Sequence, residues 1–302
     1  MSSRERQQRA ERARLATERA AAARRRRWQW LTSGGSVAGL LLLMGGVFWV
    51  VTTQLGGGAS GAAGGCAWIG PDLHPAEAGG QGGEYAGPAE ALAVRHPTPE
   101  LMVDVGFPPV DVPRVGTQLM TIDTNLGTVT VELDLSATAC TAASFAHLAG
   151  AEFFDGTYCH RMFPGVLQCG DPNARDPGYR EQEGIGGGGP SYEVPDEFLP
   201  TTRDPAYYPA GVVAMANSGE PDTNGSQFFF VYRDLDLDGP HYSLVGRVVA
   251  GLEVFERVDE IGHDGTFERD IGGGRPNQDI IIETLRVGEP VLPPSPGPVP
   301  SG

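Results

Sequence analysis

Lysine is missing from all 302 residues, so the 22 basic side chains are all arginine. Ten of them, with three Glu, crowd into residues 1–27; beyond Arg27, 12 basic residues face 35 acidic ones, a formal charge of −23. So acidic a body repels phosphate backbones and anionic headgroups, which argues against nucleic acid as a partner. Charge of either sign is absent from residues 28–71. Histidine is scarce, and His74, His96, His147, His160, His241 and His263 lack ligand spacing, so no metal and no cofactor are expected. Asp234, Asp236, Asp238 and Gly239 start like a calcium loop, but the twelfth position is Val245 where a Glu is needed. Residues 184–189 spell GxGxxG, yet Pro190 follows instead of the helix a phosphate site requires, so they read as a flexible loop.

What is plentiful is Gly (44) and Pro (25), which assigns much of the chain to linker and leaves one domain of about 170 residues. Residues 1–27 form an Arg-rich arm expected in the cytoplasm. Residues 28–54 read as a transmembrane helix: Trp28 to Trp49 would span about 32 Å as helix, against a hydrocarbon core of roughly 30 Å. Ten Arg on one side and none near the other place the bulk of the chain outside a cell membrane crossed once. The alternative is a cleavable signal peptide, cut after the small residues 59–61. Residues 55–116 read as a Gly/Pro/Ala-rich flexible linker reaching on the order of 45 Å, part of which, at 101–105, is free to pack on the domain. Residues 289–302 read as a disordered Pro-rich tail.

Within residues 117–288, segments 119–124 and 128–133 alternate apolar and polar around Asn125-Leu126-Gly127, a hairpin signal. A helix follows, capped by Ser136 or Thr138, with Phe145, Leu148 and Ala149 on one face and Gly150 as its stop. Short strands at 159–162 and 166–169 flank Pro164-Gly165. Further strands are expected at 243–249 and 279–287, and a helix at 251–261 with Leu252, Phe255 and Val258 on one face. Hairpins interrupted by two distant helices suggest a mainly β fold, a closed antiparallel barrel capped by two α-helices.

Residues 210–232, AGVVAMANSGEPDTNGSQFFFVY, join two β-prone runs through a loop rich in amide and hydroxyl groups. Met215-Ala216-Asn217 with Asn224-Gly225-Ser226-Gln227-Phe228-Phe229 resembles one signature of the cyclophilins, peptidyl-prolyl cis/trans isomerases. Cys159-His160-Arg161-Met162-Phe163-Pro164-Gly165 followed by Gln168-Cys169-Gly170-Asp171 resembles their other signature. The resemblance covers roughly residues 118–287 and implies an eight-stranded closed barrel with two capping helices. It implies that Arg161 is the catalytic donor and that Phe229 floors a proline pocket walled by Met215 and Val166 or Leu167. Gln168, Asn217 and Gln227, beside Ala216, would grip the peptide backbone, with Leu237 and His241 at the pocket lip. Within this site Asn224-Gly225-Ser226, formally a glycosylation sequon, is better explained by binding. The sequence departs from the family pattern after Gly165, where the run to Gln168 is one residue short and Val-Leu replaces Phe-Met.

Four Cys outside the cytoplasm can pair three ways. Cys159 and Cys169 lie at equal distance from Pro164 on consecutive strands, which makes them cross-strand neighbours and leaves Cys66 to pin the linker to Cys140. The expected function is isomerisation of X-Pro bonds in exported polypeptides by a monomer. A cyclophilin-like module that binds Pro-containing partners without turnover, or an envelope adaptor, remain as alternatives.

Overall fold

The computed structural model describes residues 65–70, 99–202, 206–237, 239, 241–268 and 272–294, all within the compact unit Gly64–Gly302. The Arg-rich arm and the transmembrane expectation for residues 28–54 lie outside the described residues, among which no helix is long and apolar enough to cross a membrane.

The fold starts from the expected hairpin. Strands β2 (Thr117–Thr124) and β3 (Gly127–Asp134) pair along their whole length, placing Met120 and Ile122 beside Val131 and Val129 on the buried face. The two-residue turn is closed by Thr124, whose Oγ1 donates to Gly127 O at 2.7 Å and accepts from Leu126 N at 3.1 Å. Gly127 adopts φ 129°, which a side chain would strain.

Helix α1 (Ala139–Gly150) carries Phe145, Leu148 and Ala149 into the core as expected, but neither Ser136 nor Thr138 caps it by side chain. The cap comes from far along the chain: Glu197 accepts from Cys140 N at 2.8 Å and Thr141 N at 2.7 Å, placing a carboxylate where the helix presents unpaired N–H groups. Helix α2 (Glu253–Ile261) buries Val254, Phe255 and Val258, while Leu252, expected on that face, is exposed at its N-terminus.

The remaining elements are β1 (Met102–Val103), β4 (Thr157–Tyr158), β5 (Arg161–Phe163), β6 (Val166–Cys169), β7 (Gly189–Pro190), β8 (Val212–Met215), β9 (Phe228–Val231), β10 (Leu244–Ala250) and β11 (Ile281–Val287). Nine strands form one antiparallel sheet in the order β4-β11-β2-β3-β10-β8-β9-β6-β5. Its edge strands β4 and β5 are separated in sequence only by Cys159-His160, so the sheet must curl back on itself, and the main apolar core, shared with both helices, fills the curl. The closed eight-stranded barrel is thus corrected to a curled half-barrel: β4 and β5 share no ladder, because the chain passes directly from one edge to the other.

Parts of the linker pack on the domain, as allowed for 101–105 and expected at Cys66, and the packing extends further: Ile69 bridges to Glu193, β1 pairs with β7, and Cys66 is bonded to Cys140. The first residues of the tail are likewise fixed, since Thr117 and Val291 exchange backbone hydrogen bonds. Both expected disulfides are present, Cys66–Cys140 and Cys159–Cys169. The turn centres between Pro164 and Gly165, so Cys159 and Cys169 are offset by one residue across the hairpin.

Candidate active site

Four strands align one residue each into a row. Arg161 on β5 pairs with Gln168 on β6, Gln168 with Phe229 on β9, and Phe229 with Ala214 on β8. Directly paired residues present their side chains to the same face of a sheet, and the next residue along each strand presents to the other. The row Arg161, Gln168, Phe229, Ala214 therefore shares the outer face with Val166, and these apolar members cluster with Ala216 and Leu237. The neighbouring row, Met162, Leu167, Phe230 and Val213, faces the main core.

This alternation decides between Val166 and Leu167: Val166 lies on the face of Phe229, and Leu167 does not. Met215, expected as pocket wall, is corrected for the same reason, since it pairs with Phe228 and packs inside the curl. Leu237 joins the Phe229 cluster, whereas the Asn217 side chain is engaged in holding the loop: its Nδ2 donates to His241 O at 3.0 Å and its Oδ1 accepts from Gly219 N.

The polar half of the row is a directed chain. Arg161 donates from Nη1 to Gln168 Oε1 at 3.2 Å, Gln168 Nε2 to Gln227 Oε1 at 3.1 Å, and Gln227 Nε2 to Gly188 O at 2.9 Å. A guanidinium has no acceptor, so its presence at one end fixes which way both amides point. The other edge of the guanidinium is held by Gly272 O, from Nε at 3.2 Å and Nη2 at 3.0 Å, and its plane lies near the Phe163 ring, 5.3 Å from the centroid. The result is a buried cation, 2% exposed and held along two edges, one row position removed from the apolar ring of Phe229, 0% exposed.

Behind this row, the buried Asp171 carboxylate accepts from Asn173 N and Gly186 N, clasping the glycine loop against the strands. A side chain at Gly188 would collide with Asp171 and Asn173, so the loop needs glycine there to reach Gln227. His160 is buried with both ring nitrogens lacking a hydrogen-bond partner. Burial pushes its pKa down to about 4 against the opposing pull of the Asp171 carboxylate, so the ring is neutral at pH 7.

Several participants escaped sequence reasoning. Gly272 supplies the carbonyl that orients Arg161, and the Gly272-Gly273-Gly274 run was the available signal of close backbone approach. Tyr208 and Tyr242 pack against the Phe229 ring in the same cluster, locked together as the Tyr208 hydroxyl donates to Tyr242 O at 3.1 Å and accepts from Tyr242 N at 2.7 Å.

A curled antiparallel sheet with two helices, carrying an ordered arginine, a glutamine pair and a phenylalanine floor in one cross-strand row, defines a cyclophilin-type domain. The family model for "Cyclophilin type peptidyl-prolyl cis-trans isomerase/CLD" matches residues 119–287, and the chain belongs to that family. Two curated relatives, each described as a probable peptidyl-prolyl cis-trans isomerase B, are 36% identical to it. The Mycobacterium leprae protein aligns over 204 residues, 61% of this chain and 64% of its own length; the Mycobacterium tuberculosis protein aligns over 202 residues, 60% of each. The chain therefore spans less than two thirds of the length of these relatives. A crystal structure of a cyclophilin type peptidyl-prolyl cis-trans isomerase from Cryptosporidium parvum has 27% identity and a TM-score of 0.47, covering 57% of this chain and 98% of that one.

Proposed function

We propose that the protein is a peptidyl-prolyl cis/trans isomerase acting on Pro-containing polypeptides. The observation that carries this reading is the Arg161–Gln168–Phe229 row. Rotation about an X-Pro bond must break amide resonance, a barrier of about 18–20 kcal/mol that takes tens to hundreds of seconds to cross unaided. In the twisted state the prolyl nitrogen regains a lone pair and accepts a hydrogen bond that the planar amide cannot. A fixed guanidinium at that position stabilises the twisted state selectively, which is the requirement for catalysis.

Phe229, Val166 and Leu237 supply the apolar surface for the ring. Gln168 and Gln227 each use one amide N–H in the chain and have a second to offer a substrate carbonyl. Because Phe229 is covered in the free protein, with half-buried Phe163 and Leu235 packed at its cluster, these side chains must part to admit a prolyl ring. The test is cis-to-trans relaxation of an X-Pro peptide with the full-length chain. Acceleration supports the reading; a folded chain that binds the peptide without accelerating it supports the binding module instead.

The location we infer rests on composition. The uncharged stretch 28–54 behind an Arg-rich arm supports a single-pass anchor that holds the acidic domain outside the cell, where its clients would be exported or envelope proteins. Protease added to cells with an accessible envelope should remove the domain and spare the arm. Release of a mature protein lacking the first ~60 residues would support the signal-peptide alternative.

A further inference from the structure

On the far side of Gln227 from Arg161 lies a narrow cleft of about 20 Å³. One wall contains Ala216, Thr223 and Gln227; the other is the backbone of residues 187–190 with Tyr192 and Glu193. The second wall begins in an uninterrupted run of four glycines, 186–189, which has no side chains with which to fix its own position.

Asp171 and Gln227 hold Gly186 and Gly188 from within the family domain, and the rest of the wall is held by a segment outside it. β1 (Met102–Val103) pairs in parallel with Gly189–Pro190, and Ser191 N donates to Val103 O at 3.1 Å. Ile69 N donates to Glu193 O at 3.1 Å and accepts in return through Ile69 O from Glu193 N at 2.8 Å. Trp68 meets Tyr192 edge-on with centroids 5.7 Å apart, and Phe107 lies 5.9 Å from the same ring. Asn173, held by Asp171, donates to Leu101 O at 2.9 Å. The strap is anchored to α1 twice, by Cys66–Cys140 and by His147 Nε2 at 2.9 Å from Val105 O.

We propose that this strap, residues 65–70 and 99–107, is a specificity element of the enzyme. It clamps the glycine wall, sets the width of the cleft, and so selects small side chains at one position of the substrate near the prolyl bond. The proposal rests on the isomerase reading above. Trp68, Ile69 and Val103 act through Tyr192, Glu193 and Ser191 and are positioning residues, not catalytic ones.

The experiment uses the full-length protein and X-Pro peptides in which each residue flanking proline is varied in turn through Gly, Ala, Leu and Trp, with kcat/KM and Kd measured for each. The wild type should favour small residues at one position. Trp68→Ala and the double variant Cys66→Ala/Cys140→Ala should each lose about three- to tenfold of that preference while the Gly peptide is turned over as before. Trp68→Phe, which keeps a ring against Tyr192, should retain it. Variants that change every peptide by the same factor, or none, overturn the proposal, as does a strap whose release simply unfolds the domain. Absence of turnover in the folded wild type would instead defeat the isomerase reading, and the Kd series would still show whether the strap sets selectivity.

Discussion

Arg161 and Gln168 sit directly opposite one another on β5 and β6, joined by a hydrogen bond of 3.2 Å from Nη1 to Oε1. That bond gives the amide chain its direction, because Arg161 can only donate and Gln168 must then turn its own N–H toward Gln227. Gln168→Leu keeps an apolar side chain on the sheet but leaves buried polar atoms on Arg161 and Gln227 without these partners. The variant should lose roughly 1–3 kcal/mol of stability by urea midpoint. An unchanged midpoint would mean that the chain contributes nothing to order in the row.

His160 makes stability depend on pH. Its folded pKa, lowered by burial to about 4, lies below the unfolded value of 6.5, so between them the unfolded chain takes up a proton that the folded one refuses. The contribution is complete above pH 6.5 and is lost as pH falls from there toward 4. Urea midpoints from pH 7.5 to 4 should decline across that window in the wild type and decline less in His160→Gln. Equal pH dependence in the two would place the effect on other groups.

The two disulfides should differ in consequence. By loop-closure entropy, removing Cys66–Cys140, which closes 74 residues, costs about 4 kcal/mol, and removing Cys159–Cys169, which closes 10, costs about 2.5 kcal/mol. Only the second flanks Arg161 and Gln168 in sequence. Cys159→Ala/Cys169→Ala should therefore lower kcat/KM on every peptide, whereas Cys66→Ala/Cys140→Ala should chiefly lower Tm and alter selectivity. The check is Tm and kcat/KM on both variants; the reverse ranking would contradict this assignment.

Phe229→Ala removes a fully buried ring from the floor of the site. It should cost about 3–5 kcal/mol of stability and weaken peptide binding together, because the same apolar surface serves both. Denaturant titration and Kd measured on one preparation test the linkage. A variant that loses binding at full stability would show that Phe229 packs against substrate alone.

The signature runs made Arg161, Gln168, Gln227 and Phe229 legible, since few other arrangements put two amides, an arginine and an aromatic run at those spacings. Which neighbours share their face was not legible. Val166, Leu167 and Met215 are all apolar strand residues, and only the register across β5, β6, β9 and β8 separates Val166 from the two that turn inward. Register could not be read because the run after Gly165 is a residue short of the family pattern. The strap was hidden for a different reason: β1 and β7 are two residues long and lie 87 positions apart, too short for periodicity and too distant for a turn signal. Glu197 at the start of α1 is a long-range cap of the same kind, with nothing local to announce it.

The central claim is that Arg161 stabilises the twisted amide, and its most direct measurement is kcat/KM for X-Pro isomerisation by Arg161→Ala beside Arg161→Lys. The account predicts a loss of about 10²–10³ in the Ala variant, roughly 2.7–4 kcal/mol of transition-state stabilisation, with Kd for the ground-state peptide changed far less. Lys, which keeps the charge but not the planar fork held by Gly272 and Gln168, should recover only part. A folded Arg161→Ala protein with wild-type kcat/KM would contradict the account and move the catalytic donor elsewhere.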